Sequence, residues 1–297
     1  MTLVEQIADA ILYEGYILYP YRASALKNGQ RWNFGVLYPP SYARAQQGSD
    51  ASVMQCECLA RGGRLSVSVR FLHLVTRESW QEAVTREIDT DKPGTHYFSF
   101  PACEDRDAGG TVRRQEEIQG VIQVNVAPVD QEWSRVSLRI SNCGAFDVPR
   151  EDSGAWPARE NALRHSLVST HAILRVRGGE FASLLDPPEE LRQLSDECSN
   201  VGLWPVLAGE AGSCDTMLAS PIILYDYPQI APQSAGALFD GTEIDEILSL
   251  RILTLTDAEK REMRETDPKA RLLLERTEAL DTDQWLQLHG VMKANAR

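Results

Sequence analysis

Between Arg64 and Val75 the apolar residues Leu65, Val67, Val69 and Phe71 alternate with Ser66, Ser68 and Arg70. Successive side chains of an extended chain point to opposite faces, so a period of two fits a strand with one buried face and rules out a helix there. Similar stretches recur at Val121 to Val126, Val136 to Ile140 and Leu167 to Val176. Polar loops separate them and no long helices intervene regularly. That spacing predicts an antiparallel sheet or sandwich rather than parallel strands joined by crossover helices. A further hairpin is expected near Asn28-Gly29, where the β-prone run Arg31-Trp-Asn-Phe-Gly-Val-Leu-Tyr follows a polar turn.

Helix signals lie toward the two ends. Thr2-Leu-Val-Glu5 is a capping-box pattern, and Leu3, Ile7, Ala10 and Ile11 then recur at helical spacing, predicting a short amphipathic helix that ends near Gly15. Gly178-Gly179 is read as the end of a strand, and Asp186-Pro-Pro-Glu-Glu as the start of a helix running through Leu191 and Leu194 toward Cys198. From Thr242 onward the pattern is helical: Thr256-Asp-Ala-Glu259 is another capping box, Asp267-Pro268 an N-cap with Pro at N1, and Asp281-Thr-Asp-Gln284 a third start. The expected fold is α+β. An antiparallel, β-rich, sandwich-like body occupies residues 1–185, and a mainly helical region, 186–297, packs on it.

Met217 to Ile247 joins these regions. Its apolar part, Pro221 to Tyr227, reads as a buried strand with Ile222 to Leu224 in the core, and it leads through a Pro/Ser/Gly passage into Asp240-Gly-Thr-Glu-Ile-Asp-Glu. Several carboxylates near a helix start, here Asp240, Glu243, Asp245 and Glu246, suit a hard cation or a basic partner. Acids at a helix N-terminus also stabilise its dipole by about 0.3–1 kcal/mol with no ligand at all, and Asp240 or Thr242 is needed as a cap.

The formal net charge of -13 over 297 residues repels phosphate backbones, and no Lys/Arg run offers a local exception, so no nucleic acid is expected as a partner. With 43% hydrophobic and 25% charged residues the chain resembles an ordinary folded protein, not a disordered one. No apolar stretch approaches the ~20 residues of a membrane-spanning helix, and the start Met-Thr-Leu-Val-Glu-Gln lacks a signal-peptide pattern, so the expected location is cytoplasmic. The six cysteines (56, 58, 103, 143, 198 and 214) are scattered rather than clustered, which fits reduced thiols. On a strand Cys56 and Cys58 point to one face.

Catalytic signatures are missing. No GxxxxGK(S/T) or GxGxxG follows a predicted strand, no Gly-x-Ser-x-Gly occurs, and Asp107-Ala-Gly-Gly110 reads as a strand connector. His171 is expected on the same strand face as Leu167 and Ile173, with His165 at the strand entrance and His73 inside another strand. A histidine-centred metal site there would need a further ligand brought in by folding. Tyr13, Tyr16, Tyr19 and Tyr21 precede Arg22, and rings with a polar tip suit either a protein interface or the edge of a core.

Two pairs of segments carry a resemblance. Tyr13-Glu-Gly-Tyr-Ile-Leu-Tyr-Pro-Tyr-Arg with Arg31-Trp-Asn-Phe-Gly, and Ser220-Pro-Ile-Ile-Leu-Tyr-Asp-Tyr-Pro with Phe239-Asp-Gly-Thr-Glu-Ile-Asp-Glu, resemble uncharacterised bacterial proteins associated with NiFe-hydrogenase gene clusters. The resemblance implies an accessory or assembly partner of a metalloenzyme and carries over no catalytic residue. The sequence therefore leads to a non-catalytic accessory protein that binds a protein partner, in hydrogenase maturation or assembly, through Tyr13, Tyr16, Tyr19, Tyr21, Arg22, Asp240, Glu243, Asp245 and Glu246, with no cofactor. The alternative is a metal-dependent enzyme or metal carrier whose His and Cys ligands meet only in the fold.

Overall fold

The computed structural model of the chain describes residues 2–17, 21, 31–46, 48, 50–77, 80–106, 110, 112–148, 158–230 and 245–280. They form two compact units, Met1–Leu12 with Trp32–Pro228, and Tyr13–Arg31 with Gln229–Arg297.

The first unit is a ten-stranded sheet in which every pairing between strands is antiparallel, as the alternating segments predict. In chain order the strands are β1 (Val53–Arg77), β2 (Trp80–Thr90), β3 (Gly94–Phe100), β4 (Cys103–Arg106), β5 (Val112–Gln115), β6 (Ile118–Pro128), β7 (Trp133–Asn142), β8 (Val168–Phe181), β9 (Trp204–Leu207) and β10 (Thr216–Ser220). The main path runs β3-β6-β7-β1-β8-β10-β9, with β2 on β1 and the β4–β5 hairpin at the far end of β1. The sheet unit extends past residue 185 because β9 and β10 join β8. Helices α1 (Leu3–Leu12), α2 (Pro40–Gln46), α3 (Ala158–Arg164) and α4 (Arg192–Asp196) belong to the same unit.

The 25-residue β1 organises this sheet. Its first half pairs with β7, its middle with β8 and its second half with β2. Met54, Cys56, Cys58 and Ala60 face the main core from the first half, whereas Val67, Val69 and Phe71 face it from the second. Even-numbered and odd-numbered positions reach the same core because Gly62 and Gly63, with φ of 65° and 72°, break the alternation between them. In β8 Gly178 (φ 75°) and Gly179 do the same, so Ala172, Leu174 and Val176 share the core with Phe181. Gly178-Gly179 therefore does not end a strand. It lies opposite the first glycine pair, with Gly62 aligned on Gly179, and both strands change face together.

A second irregularity corrects the expected histidine face. Between the pairs Arg70↔His171 and Leu72↔Val168, β8 contains one residue more than β1, and Ser169 takes a φ of 53°. The bulge puts Leu167 in the main core with Ala172 and Leu174. Ile173, which shares the face of His171, joins instead a smaller cluster with Val4, Ile7, Ala8 and Ile11 of α1. The capping box that starts α1 is present: Thr2 N donates to Glu5 Oε2 at 2.8 Å and Glu5 N to Thr2 Oγ1 at 3.3 Å.

The run Pro221 to Tyr227 is not a buried strand. β10 stops at Ser220, whose hydroxyl accepts the Ile222 N–H at 3.0 Å, and Pro221 has no N–H to extend the ladder. Ile222 and Leu224 pack at the edge of the α1 cluster, while Ile223 (72% exposed) and Tyr225 (87%) point to solvent. The expected helix after Asp186 is shorter than its pattern suggests. A 3₁₀ turn at Glu189–Leu191 precedes α4, and Pro188 at the cap position supplies no side-chain acceptor.

The second unit contains α5 (Asp245–Leu253), α6 (Asp257–Thr266) and α7 (Pro268–Glu278), the last two starting at the caps predicted at Thr256 and Asp267, while the predicted start at Asp281 lies outside the described residues. Thr256 and Glu259 form the capping box of α6, and Asp267 caps α7, with Pro268 following, by accepting from Lys269 N at 2.7 Å. Asp267 is 3% exposed, and the Tyr16 hydroxyl donates to its Oδ2 at 2.6 Å. Buried Arg31 donates to the Tyr16 carbonyl at 2.9 Å, and burial lowers its pKa to about 10 while Tyr16 and Asp267 oppose that fall. Asp267→Ala removes a cap worth about 1 kcal/mol and a buried charged acceptor worth about 2 kcal/mol. We expect this unit to lose about 3 kcal/mol in urea unfolding followed by helical circular dichroism, with the sum of those two terms as its basis. An unfolding midpoint within error of the wild type would refute the role of Asp267 as a shared cap and buried partner.

No helix among the described residues is long and apolar enough to cross a membrane.

Candidate functional site

A cleft of about 760 Å³ lies in the sheet unit. Three separate segments build it. The first is the turn between β6 and β7, where Asp130 Oδ1 accepts from the N–H groups of both Glu132 and Trp133 at 2.7 Å. This side-chain turn is the conformation that Asp favours in a short connection. It presents Glu132 and Trp133 on the cleft wall.

The second is the overlap of β1 with its neighbours. Arg61 lies opposite Trp133 on β7 and opposite Glu180 on β8, so both cross-strand partners are fixed by register. Its guanidinium donates to Glu132 Oε2 at 2.8 Å and to Glu180, and it stacks over the Trp133 ring at 5.0 Å from the centroid. Hydrogen bonds to Glu132 and then Glu180 push its pKa up.

The third segment is pinned by Asp226. Its Oδ2 accepts from the Ser183 hydroxyl at 2.6 Å and its Oδ1 from Leu207 N at 2.8 Å, while Tyr227 N donates to the Leu207 carbonyl at 2.7 Å. Ser183 in turn accepts from the N–H groups of Leu185 and Asp186. The chain from β8 toward the 3₁₀ turn and the chain after β10 are thereby tied to β9. Tyr227 is held at φ 54°, a conformation that costs a non-glycine residue on the order of 1 kcal/mol or more and persists only where its surroundings impose it. Its hydroxyl lies 3.9 Å from Cys214 Sγ, and burial raises its pKa.

Buried Phe181, Ala182, Leu191 and Leu207 form the apolar floor. The walls carry Asp130, Glu132, Glu180, Asp186, Glu190 and Asp226, and Arg61 is the one base among the described lining residues. An apolar floor under negative walls favours a ligand with an apolar body and positive charge.

The groups best suited to chemistry lie elsewhere. His73 and His171 are fully buried, and burial lowers both to about 4. Each is anchored by a backbone carbonyl, His73 by that of Glu116 and His171 by that of Ser169, both at 2.9 Å. Cys56 and Cys58 share a face, as the strand reading predicts, but both are buried. Desolvation pushes Cys56 up to about 12 and Cys58 well above the ordinary thiol value. Both are therefore neutral thiols, poor nucleophiles and poor ligands at neutral pH. Among the described residues no three His, Cys, Asp or Glu side chains are grouped so that they could hold a metal ion.

Tyr13, Tyr16 and Tyr21, singled out from sequence, are not among the residues that line the cleft. Tyr16 (2% exposed) and Tyr21 (0%) are buried, and Tyr13 stacks edge-on to Tyr16 with Lys269 Nζ over its ring at 3.4 Å, all within the helical unit. Asp245 and Glu246 open α5, while Tyr19, Arg22, Asp240 and Glu243 lie outside the described residues. Arg61, Glu132, Trp133 and Glu180 carry no joint signal in the sequence because they come from distant parts of the chain. The Val-Asp-Gln-Glu-Trp turn carried the best available signal, a turn-forming Asp followed by an exposed charged and aromatic pair. The sequence matches no protein-family model and no curated protein.

Proposed function

We propose that this protein is a non-catalytic accessory or assembly protein that holds a partner protein in the cleft between the β6–β7 turn and Tyr227. The observation that carries this reading is the cleft itself: about 760 Å³, open, apolar at its floor and lined by six carboxylates against one guanidinium. That combination suits a segment of another protein better than a reaction. His73 and His171 are buried and held by backbone carbonyls, and the buried thiols of Cys56 and Cys58 are protonated. The resemblance to proteins of hydrogenase gene clusters makes a hydrogenase component the first partner to try.

Asp186 and Glu190 are exposed on the cleft rim, so reversing their charge tests the site without disturbing the core. Affinity capture from native cells should recover a defined partner with the wild type, and Asp186→Lys with Glu190→Lys should lower the yield of that same partner about tenfold or more. Equal recovery by both proteins would remove the cleft from the interface. Recovery of no stable partner by the wild type would count against the accessory reading as a whole.

A further inference from the structure

Resting on that reading, we propose that the partner enters the cleft with an arginine side chain, and that its seat is the Glu132–Trp133–Glu180 corner which Arg61 occupies in the free protein. A carboxylate from the β6–β7 turn, Glu132, and one from β8, Glu180, converge there on one guanidinium, while an indole ring covers its face. This is the acceptor-and-stacking pattern that a planar, forked cation satisfies and a lysine ammonium satisfies only in part. Arg61 thus stands where a ligand cation would be recognised.

Its hold on the seat is weak enough to exchange. The side chains of Arg61, Glu132 and Glu180 are 46%, 65% and 39% exposed, and ion pairs so open to water contribute little. An incoming guanidinium therefore replaces one solvated pair with another, while its neighbours gain the apolar floor formed by Phe181, Leu191 and Leu207. With Arg61 in place the cleft still has an excess of negative charge. Asp186 and Glu190 have no ion-pair partner among the described residues, and the hydrogen bonds that Asp130 and Asp226 accept here come from N–H and O–H groups rather than from cations. The surplus attracts a basic segment and sets the direction from which it arrives.

The probe is acetyl-Gly-Arg-Gly-amide, compared with its lysine and citrulline counterparts, in isothermal titration against the wild type and Arg61→Gln. Emptying the seat should tighten binding of the arginine peptide about tenfold, with lysine weaker and citrulline, which keeps the shape but not the charge, not binding. Glu180→Gln added to Arg61→Gln should abolish the gain. An unchanged affinity in Arg61→Gln, or equal binding of arginine and citrulline peptides, would overturn the proposal. A measurement on the wild type covers the case of a variant that fails to fold: the Arg61 Nε–H resonance should shift as the arginine peptide is added and stay fixed with citrulline, and no shift with either overturns it. The two readings fail separately. If Asp186→Lys with Glu190→Lys loses the partner while the seat ignores arginine, the cleft stands and the seat falls. If the seat binds arginine but no partner is captured, the reverse holds.

Discussion

Between pH 6.5 and pH 4 the sheet unit should lose about 6 kcal/mol of stability through two histidines. His73 and His171 are both 0% exposed. Desolvation lowers each to about 4, with Arg86 and His165 adding to the effect at His73 and Arg70 at His171, while Asp9 opposes it there. In the unfolded chain each titrates near 6.5. Between these two values the unfolded state therefore binds more protons than the folded one, so stability is complete above about pH 6.5 and falls as the pH drops toward 4. Each histidine accounts for about 3 kcal/mol over the whole range and about 2 kcal/mol by pH 5. Typical domains have only about 5–15 kcal/mol in total, so acid unfolding should begin well above the carboxylate range.

Urea unfolding followed by tryptophan fluorescence at half-unit steps of pH measures the slope. The hydrogen bonds define the control substitutions. His73 uses Nε2 toward the Glu116 carbonyl, so His73→Gln preserves the donor, whereas His171 uses Nδ1 toward that of Ser169, so His171→Asn does. Each variant should remove about half of the slope, because each takes away one of two comparable protonation costs. A stability that stays flat from pH 6.5 to 5 in the wild type would contradict the neutral burial of these residues.

Substituting Gly179 with Ala should cost about 4 kcal/mol or prevent folding, more than a typical single change. A Cβ there would lie 2.4 Å from the Arg61 carbonyl oxygen and 2.5 Å from that of Gly62, both backbone atoms in a paired strand that have no room to retreat. Gly63→Ala should do comparable damage for two reasons: its Cβ would meet Gly179 N at 2.7 Å, and its φ of 72° is strained for any side chain. Gly178 provides the contrast. It also has positive φ, but nothing lies within 4 Å of its Cβ position, so Gly178→Ala should cost only about 1 kcal/mol. Thermal unfolding of the three variants side by side decides the matter. If Gly179→Ala melts with Gly178→Ala, close backbone approach is not what these glycines provide.

The same glycines mark where the sequence stopped being informative. The alternation from Leu65 to Phe71 is legible because each side chain's face follows from its own parity. Its relation to the alternation of Met54, Cys56 and Cys58 is not, since left-handed turns at Gly62 and Gly63 reset the parity between them. Gly178-Gly179 read as a strand end for a related reason: a glycine pair favours a turn when taken alone, and only the matching pair on β1 turns it into a crossing point. A spacing of four puts Leu167 and His171 on one face of a regular strand, which the single extra residue at Ser169 invalidates. Pro221 to Tyr227 is apolar and so reads as buried, yet Ser220 and Pro221 end the ladder before it, so that Ile222, Leu224 and Tyr227 find partial cover while Ile223 and Tyr225 stay exposed.

What the chain determined by itself was local. The caps at Thr2, Thr256 and Asp267, the strand character of Arg64 to Val75, the antiparallel α+β class and the acidic balance each depend on residues within a few positions of one another, where hydrogen bonds and φ/ψ preferences act without help. The cleft depended on tertiary structure alone. Arg61 meets Glu132 and Glu180 across 71 and 119 residues of chain, and Asp226 reaches Ser183 across 43. Such contacts follow from strand register, which is set cooperatively by the burial of whole faces and by bulges that shift them, so no short stretch of sequence encodes them.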